Sequence, residues 1–308
     1  MTKYRHILLN LAILALVVFF MLYMFLSLND RTVEYGETEN ITENAANFES
    51  PCSVSDVFTL PEGTKRIKLF NDIIYCATDD SVSIYSKEGA LHNRFFAGEG
   101  ISDMVANGQE VYVLFPLKIK VFSPEGVLDR EWEACSDNSI YVSIVLTKDF
   151  VFITDAENSN ICQFAKDGRF LRFIDSPRGF VIPTGDFDID SFRDTVYCVN
   201  PGRHQIESYT TEGQFIASFG IPGSKPGTFP GCCNPASIAF TSDGQLITSE
   251  KGNPRICLFE RSGRFIEMLL NAKLLGGGHT AYEIQSSDNR IYVAVRNEMK
   301  VYNYKTGK

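Results

Sequence analysis

The sequence has few of the residues from which metal and nucleophile sites are built. Of its 308 residues only four are histidine, His6, His92, His204 and His279, and no two stand in an H-x-x-x-H pair. The eight cysteines include no C-x-x-C. Without those spacings the common zinc motifs are missing, and neither a metal nor a cofactor is expected. No G-x-S-x-G turn occurs, which removes the nucleophile elbow of α/β-hydrolases. The Gly-rich KLLGGGHT at 273–280 lacks the Lys-Ser/Thr ending of a phosphate loop. Basic charge is short too. Residues 32–308 hold 26 Lys+Arg against 37 Asp+Glu, a net −11. Nucleic-acid phosphates need clustered bases, so nucleic acid is excluded as a partner.

One long apolar run is present. Residues 7–28 carry no charge and a single amide, Asn10. Twenty-two residues at helical rise span roughly 30 Å, enough to cross a bilayer core. A cleaved signal peptide has a shorter apolar region and a small-residue cleavage site, so the run is expected to be a transmembrane signal anchor behind a 1–6 tail. Lys3 and Arg5 precede it, and Arg31 is the only base soon after it. This bias puts the N-terminus in the cytoplasm and the remainder outside, periplasmic or at the cell surface if bacterial. Residues 29–51 are polar and acidic and read as a flexible stalk.

Beyond it, one unit recurs. An apolar residue followed three positions later by an aromatic occurs six times: Val82/Tyr85, Ile119/Phe122, Ile161/Phe164, Ile206/Tyr209, Ile256/Phe259 and Met299/Tyr302. Gly89, Gly126, Gly168, Gly213 and Gly263 each lie four residues after the first five aromatics, and Gly307 five after the sixth. The odd spacing puts the two side chains on opposite faces of one strand, so both faces are buried, as in stacked blades and unlike a simple sandwich. Glycine supplies the positive φ of a tight hairpin. Glycine intervals of 37–50 residues suit four-stranded blades. The expected fold is therefore all-β, a six-bladed β-propeller over 52–308. The chain stops before the sixth blade has an outer strand, and CSVSDVFTL at 52–60 precedes the first blade. Residues 54–60 are expected to complete the last blade and remove an open edge.

The stretches TDAENSNICQFAKDGRFLRFI, VNPGRHQIESYTTEGQFIASFG and SEKGNPRICLFERSGRFIEML resemble NHL repeats. The resemblance covers about residues 140–270 and implies a six-bladed propeller. GCCNP followed by SEKG further resembles a fifth-blade form of bacterial secreted or anchored relatives. Such propellers bind proteins, RNA or small ligands, and some are lyases or hydrolases, so the resemblance does not choose an activity.

The repeats are unequal. From second-strand to third-strand aromatic, or its equivalent, is ten residues in blades one, two and six, and twelve in blades three to five. The interblade connections lengthen over the same stretch. Both kinds of loop open on one face, so that face of blades three to six is the expected binding surface. Its residues are Cys232, Cys233, Asn234, Glu250, Lys251 and Arg255, with Arg203, His204 and His279. The first six are expected to be close neighbours near the channel. Adjacent Cys232 and Cys233 are read three ways: a vicinal disulfide shaping the face, plain thiols, or a redox or metal site. Cys76, Cys162, Cys198 and Cys257 fall on inner-blade strands and read as small buried hydrophobes. Three functions follow. The leading one is a binding or scaffolding module for a protein or small ligand. The others are a metal-dependent lyase or hydrolase using His204, Arg203, His279 and Arg255 in the channel, and a thiol or electron-transfer accessory using the vicinal cysteines.

Overall fold

A computed structural model describes residues 13–14, 16–19, 21, 48–278, 281–295 and 297–304. The chain divides into two compact units, Met1–Asn47 and Phe48–Lys308. In the first, the described residues are helical and exposed. The expected single-pass membrane placement is corrected here: among the described residues no helix is long and apolar enough to cross a membrane. The rest of 7–28 and the stalk as far as residue 47 lie outside the described residues.

In the second unit β1 (Cys52–Thr59) precedes five blades built in chain order. Blade one is β2 (Arg66–Phe70), β3 (Ile73–Ala77), β4 (Ser81–Ser86) and β5 (Leu91–Phe96). Blade two is β6 (Asp103–Ala106), β7 (Val111–Phe115), β8 (Lys118–Phe122) and β9 (Leu128–Glu133). Blade three is β10 (Tyr141–Leu146), β11 (Phe150–Asp155), β12 (Asn160–Ala165) and β13 (Phe170–Ile174). Blade four is β14 (Ile189–Phe192), β15 (Thr195–Asn200), β16 (Gln205–Thr210) and β17 (Phe215–Phe219). Blade five is β18 (Ser237–Phe240), β19 (Leu246–Glu250), β20 (Arg255–Phe259) and β21 (Phe265–Leu270), followed by α1 (Ala272–Leu275). The sixth sheet runs β1–β24–β23–β22, with β22 (Glu283–Ser287) and β23 (Arg290–Val295) inside and β24 (Glu298–Tyr304) paired to β1. The protein is thus an all-β six-bladed propeller of four-stranded antiparallel sheets.

Ring closure rests on backbone pairing, from Cys52↔Tyr304 to Thr59↔Glu298, with a bulge between Val54 and Asp56. Val54 and Val57, two of the apolar residues of the closing segment, are 56% and 51% exposed. Its anchors are Phe58, seated on the Gly89 turn, and buried Leu60, whose amide donates to Asn297 at 2.8 Å.

The repeated apolar/aromatic pair has a direct packing meaning. Ile161 lies in the core between blades three and four, while Phe164 lies in the core between blades two and three. Ile256 and Phe259 divide between neighbouring cores in the same way. Each third strand is therefore buried on both faces and stitches two interblade cores together.

The turn glycines do more than permit a left-handed backbone. At Gly126, φ is +87° and an added Cβ would lie 2.4 Å from Cβ of Phe95, on the outer strand of blade one. Trp132 packs in this way on Gly168, Ile174 on Gly213 and Phe219 on Gly263. The glycine of each turn is the seat for an outer-strand side chain of the preceding blade, which is why spacing and residue type recur together.

Candidate functional site: the loop-rich face and the channel mouth

The longer loops of blades three to five are fastened from beneath by the last residue of each second strand. Asp155, fully buried, accepts from the amide of Ile140 at 3.0 Å and so holds the connection into blade three. Asn200, also fully buried, accepts from Val181 N at 2.9 Å and donates to Glu207 at 2.7 Å, which secures the connection into blade four. In blade five Glu250 pairs with Arg255 at 2.6 Å. The Arg255 guanidinium donates to the carbonyls of Ser224 at 2.7 Å, Lys225 at 3.1 Å and Thr228 at 2.6 Å. The Gly/Pro-rich loop 220–235 is thereby bound down across residues 224–228. Buried polar groups must find partners, and here those partners are loop backbone that would otherwise be unsatisfied.

At the start of the inner strands a second set of charges faces the channel. Arg66 pairs with Glu283 and lies 3.9 Å from Asp103, while the Lys68 ammonium is 3.6 Å from Asp103. Asp103 also accepts from Ser143 Oγ at 2.8 Å and from Ile144 N at 3.0 Å. Ser143 Oγ reaches Asp188 at 2.9 Å, and Asp188 accepts from Ser237 Oγ at 2.9 Å and Ile238 N at 2.8 Å. The inner strands of all six blades contribute to this belt, with Asp188 one residue ahead of β14. Two cations face four carboxylates, counting Asp190. Burial pushes the Asp190 carboxyl up to about 7, against the opposing pull of Lys68. Burial also raises Glu283, held back by Arg66 and then Lys68. For Arg66 the Glu283 carboxylate strengthens the hold on its proton.

The segment 184–188 joins this belt to the vicinal cysteines. Lys251 pairs with Asp186 and donates to Thr184 Oγ1 at 2.7 Å. Asn234 accepts from Lys251 N at 2.8 Å and donates to Lys251 O at 2.9 Å and Pro230 O at 2.8 Å. Cys232 is exposed and Cys233 buried; both are free, with their Sγ atoms 2.8 Å apart. Burial and the hydrogen bond from Cys232 raise the Cys233 thiol, opposed by Thr184 and Lys251.

The nine residues anticipated from sequence therefore separate. Cys232, Cys233, Asn234 and Lys251 cluster beside Thr184 and Asp186, two residues from the belt. Glu250 and Arg255 are turned inward, 0% and 5% exposed as side chains, and act as a loop lock. Burial lifts Glu250 to about 7, with Arg255 opposing. Arg203 donates to the carbonyls of Gly179, at 2.7 Å, and Arg178. His204 adopts a left-handed backbone (φ 57°) at the end of a single 3-10 turn. Burial lowers its pKa, with the Phe229 backbone opposing. Together with Arg178, Gly202, Gln205 and Pro222, these two line a small cavity of about 190 Å³. His279 lies outside the described residues. Arg203 thus spends its guanidinium group on backbone carbonyls, and Arg255 on backbone carbonyls and Glu250.

The belt went unread in the sequence. Its trace is a charged residue at the head of otherwise apolar inner strands, as in RIKLF, DMVA and DFDID.

No family model matches the chain, and no curated protein does. Solved propellers do. Virginiamycin B lyase from Staphylococcus aureus superposes with a TM-score of 0.58 at 14% identity, over 82% of this chain and 99% of that one. The β-propeller domain of Cps50 (Swd1) from Myceliophteria thermophila gives 0.56 at 10% identity, over 83% and 100%. A streptogramin B lyase gives 0.53 at 13%, over 82% and 98%. At such identities the likeness establishes the propeller fold and leaves the chemistry open.

Proposed function

We propose that this protein is an NHL-type propeller acting as a binding module, and that its working surface is the loop-rich face around the channel mouth. The observation that carries the proposal is segment 184–188. It runs from the Lys251–Asp186 pair beside the vicinal cysteines to Asp188 in the belt, so the lopsided loops and the channel charges form one continuous surface. The locks beneath these loops hold that surface in one shape, which lowers the entropy lost when a partner is bound. The carboxylates outnumber the cations, so the mouth favours a partner that presents a basic side chain or an amine. Cys232 and Cys233 belong to this surface as a pair that can close to a vicinal disulfide; peptide mapping with and without reductant tests that element separately.

The experiment is site-specific photo-crosslinking in extract of the source cells. A crosslinker at Thr184 is expected to capture a defined partner that one at Glu88, in a turn on the opposite face, does not. Capture from Glu88 alone, or from neither position, overturns the assignment of the face.

A further inference from the structure

The small cavity beside His204 differs in charge from the channel mouth. Arg178, Arg203 and Gln205 line it with Gly202, His204 and Pro222, and no carboxylate is among them. Three connections build it: the turn 176–179 after β13, the 3-10 turn Pro201–Arg203 between β15 and β16, and the segment from Gly220 after β17. They are fastened to one another. The Gly202 amide donates to Val181 O at 2.9 Å, and a Cβ at Gly202 would lie 2.4 Å from Val181 Cγ1. A Cβ at Gly220 would lie 2.4 Å from His204 O, so that segment is also in direct backbone contact. The Arg203 guanidinium lays its Nε–Nη2 edge on the carbonyls of Gly179, at 2.7 Å, and Arg178. Arg178 Nη2 in turn donates to Gln205 Oε1 at 2.8 Å.

What these bonds leave over is a set of donors. Arg203 keeps its Nη1 hydrogens, and Arg178 keeps those of Nε and Nη1. Gln205 accepts through Oε1, which leaves its NH₂ to donate. Among the described residues neither Arg178 nor Arg203 forms an ion pair, unlike Arg66, Arg130, Arg255 and Arg264. Glu207, bonded to Ser176 in the same turn, is 2% exposed and already accepts from Ser176, Asn200 and Tyr209. Two guanidiniums brought to one cavity without a counter-ion repel each other, and a bound anion removes that cost.

We infer that this cavity binds a phosphate group, carried by inorganic phosphate or by a small phosphomonoester. The two guanidiniums match the charge of roughly −1.5 to −2 that a phosphate ester carries at neutral pH. Donors on separate side chains suit a tetrahedral acceptor whose oxygens point in several directions; a planar carboxylate is satisfied by one guanidinium fork. The cavity volume of about 190 Å³ keeps the ligand small, since drug-sized ligands occupy roughly 300–1,000 Å³. The inference goes beyond the binding reading and does not rest on it: the channel mouth favours a cation, and this site takes an anion.

The test is calorimetric titration of the full chain with inorganic phosphate at constant ionic strength, repeated with glycerol 3-phosphate. The expected result is saturable binding of one ligand per chain, with slower amide exchange at 178–179 and 202–205 in its presence. Whichever probe binds more tightly identifies the source of the phosphate group. Arg178 is exposed and its guanidinium bonds only to Gln205, so Arg178→Gln is expected to keep the thermal midpoint and weaken binding by about tenfold or more. Arg169→Gln removes an equal charge from the exposed β12–β13 turn and is expected to leave binding within about twofold. No saturable binding of either probe overturns the inference. So does equal weakening by the two substitutions, which would mean attraction by net charge alone. Binding that leaves exchange at 178–179 and 202–205 unchanged puts the anion elsewhere and overturns it too.

Discussion

Arg255 and Glu250 face each other across the β19–β20 hairpin, paired at 2.6 Å with side chains 5% and 0% exposed. A charge in that position cannot meet a partner at the surface. Its remaining donors go to three carbonyls of 224–228, so the arginine closes the longest interblade loop onto blade five. Arg255→Ala therefore tests stability, not recognition. It leaves the Glu250 carboxyl buried without its partner and three carbonyls without a donor, a loss of about 3–5 kcal/mol by urea denaturation. Glu250→Met with Arg255→Met is expected to cost less than the single alanine change, because no uncompensated charge remains. A single alanine substitution within about 0.5 kcal/mol of the parent would remove the lock from this account.

The glycine seats predict a contrast between two positions of equal backbone. Gly126 and Gly252 both have positive φ, +87° and +88°, but an added Cβ meets Phe95 at 2.4 Å in the first and open space in the second. Gly252→Ala is expected to cost about 1 kcal/mol from backbone strain alone. Gly126→Ala adds the displacement of Phe95 and the interblade core behind it, for a total of roughly 3 kcal/mol. Equal losses in thermal denaturation would show that the seat contributes nothing.

These contrasts mark what could be read from the chain. The third-strand pairs and turn glycines were legible because each recurs at the same offset in successive blades; their period carried the fold. The belt was not. Arg66, Asp103, Ser143, Asp188, Ser237 and Glu283 differ in type, stand mostly more than thirty residues apart, and meet only when six inner strands converge. Arg255 was legible in position but not in role. Its register partner Glu250 lies five residues back across one hairpin, and that pairing turns it inward. Cys162 read as a buried hydrophobe, and it is one, fully buried in the core between blades two and three.

Asp190 predicts a pH dependence. Burial lifts its carboxyl from an ordinary 3.8 to about 7 in the folded protein. A group raised in this way keeps its proton longer when folded than when unfolded, so it favours folding at acid pH. That contribution is complete below 3.8 and fades as the pH rises through about 7. Asp190→Asn is neutral throughout and removes this part of the slope. The thermal midpoint of the parent is expected to fall across that window more steeply than that of the variant. Parallel profiles would mean that Asp190 is ionised in both states.

Asp188 is the joint of the belt, and the chemistry of its three hydrogen bonds orders its substitutions. One carboxylate oxygen accepts from Ser143 in blade three at 2.9 Å, and the other accepts from Ser237 Oγ at 2.9 Å and Ile238 N at 2.8 Å in blade five. An asparagine has one carbonyl oxygen, which must face Ile238 because a backbone amide cannot accept. Its NH₂ then meets Ser143, whose hydroxyl can turn from donor to acceptor. Asp188→Asn therefore keeps all three contacts and is expected to cost about 1 kcal/mol. Asp188→Ala strands the Ser237 hydroxyl and the Ile238 amide near the channel, while Ser143 keeps Asp103 as its acceptor; it is expected to cost about 2–4 kcal/mol, with the Ile238 amide among the first to exchange faster. If asparagine and alanine are equally costly, the contribution of Asp188 is its charge against Arg66 and Lys68, not its bonds to the flanking blades.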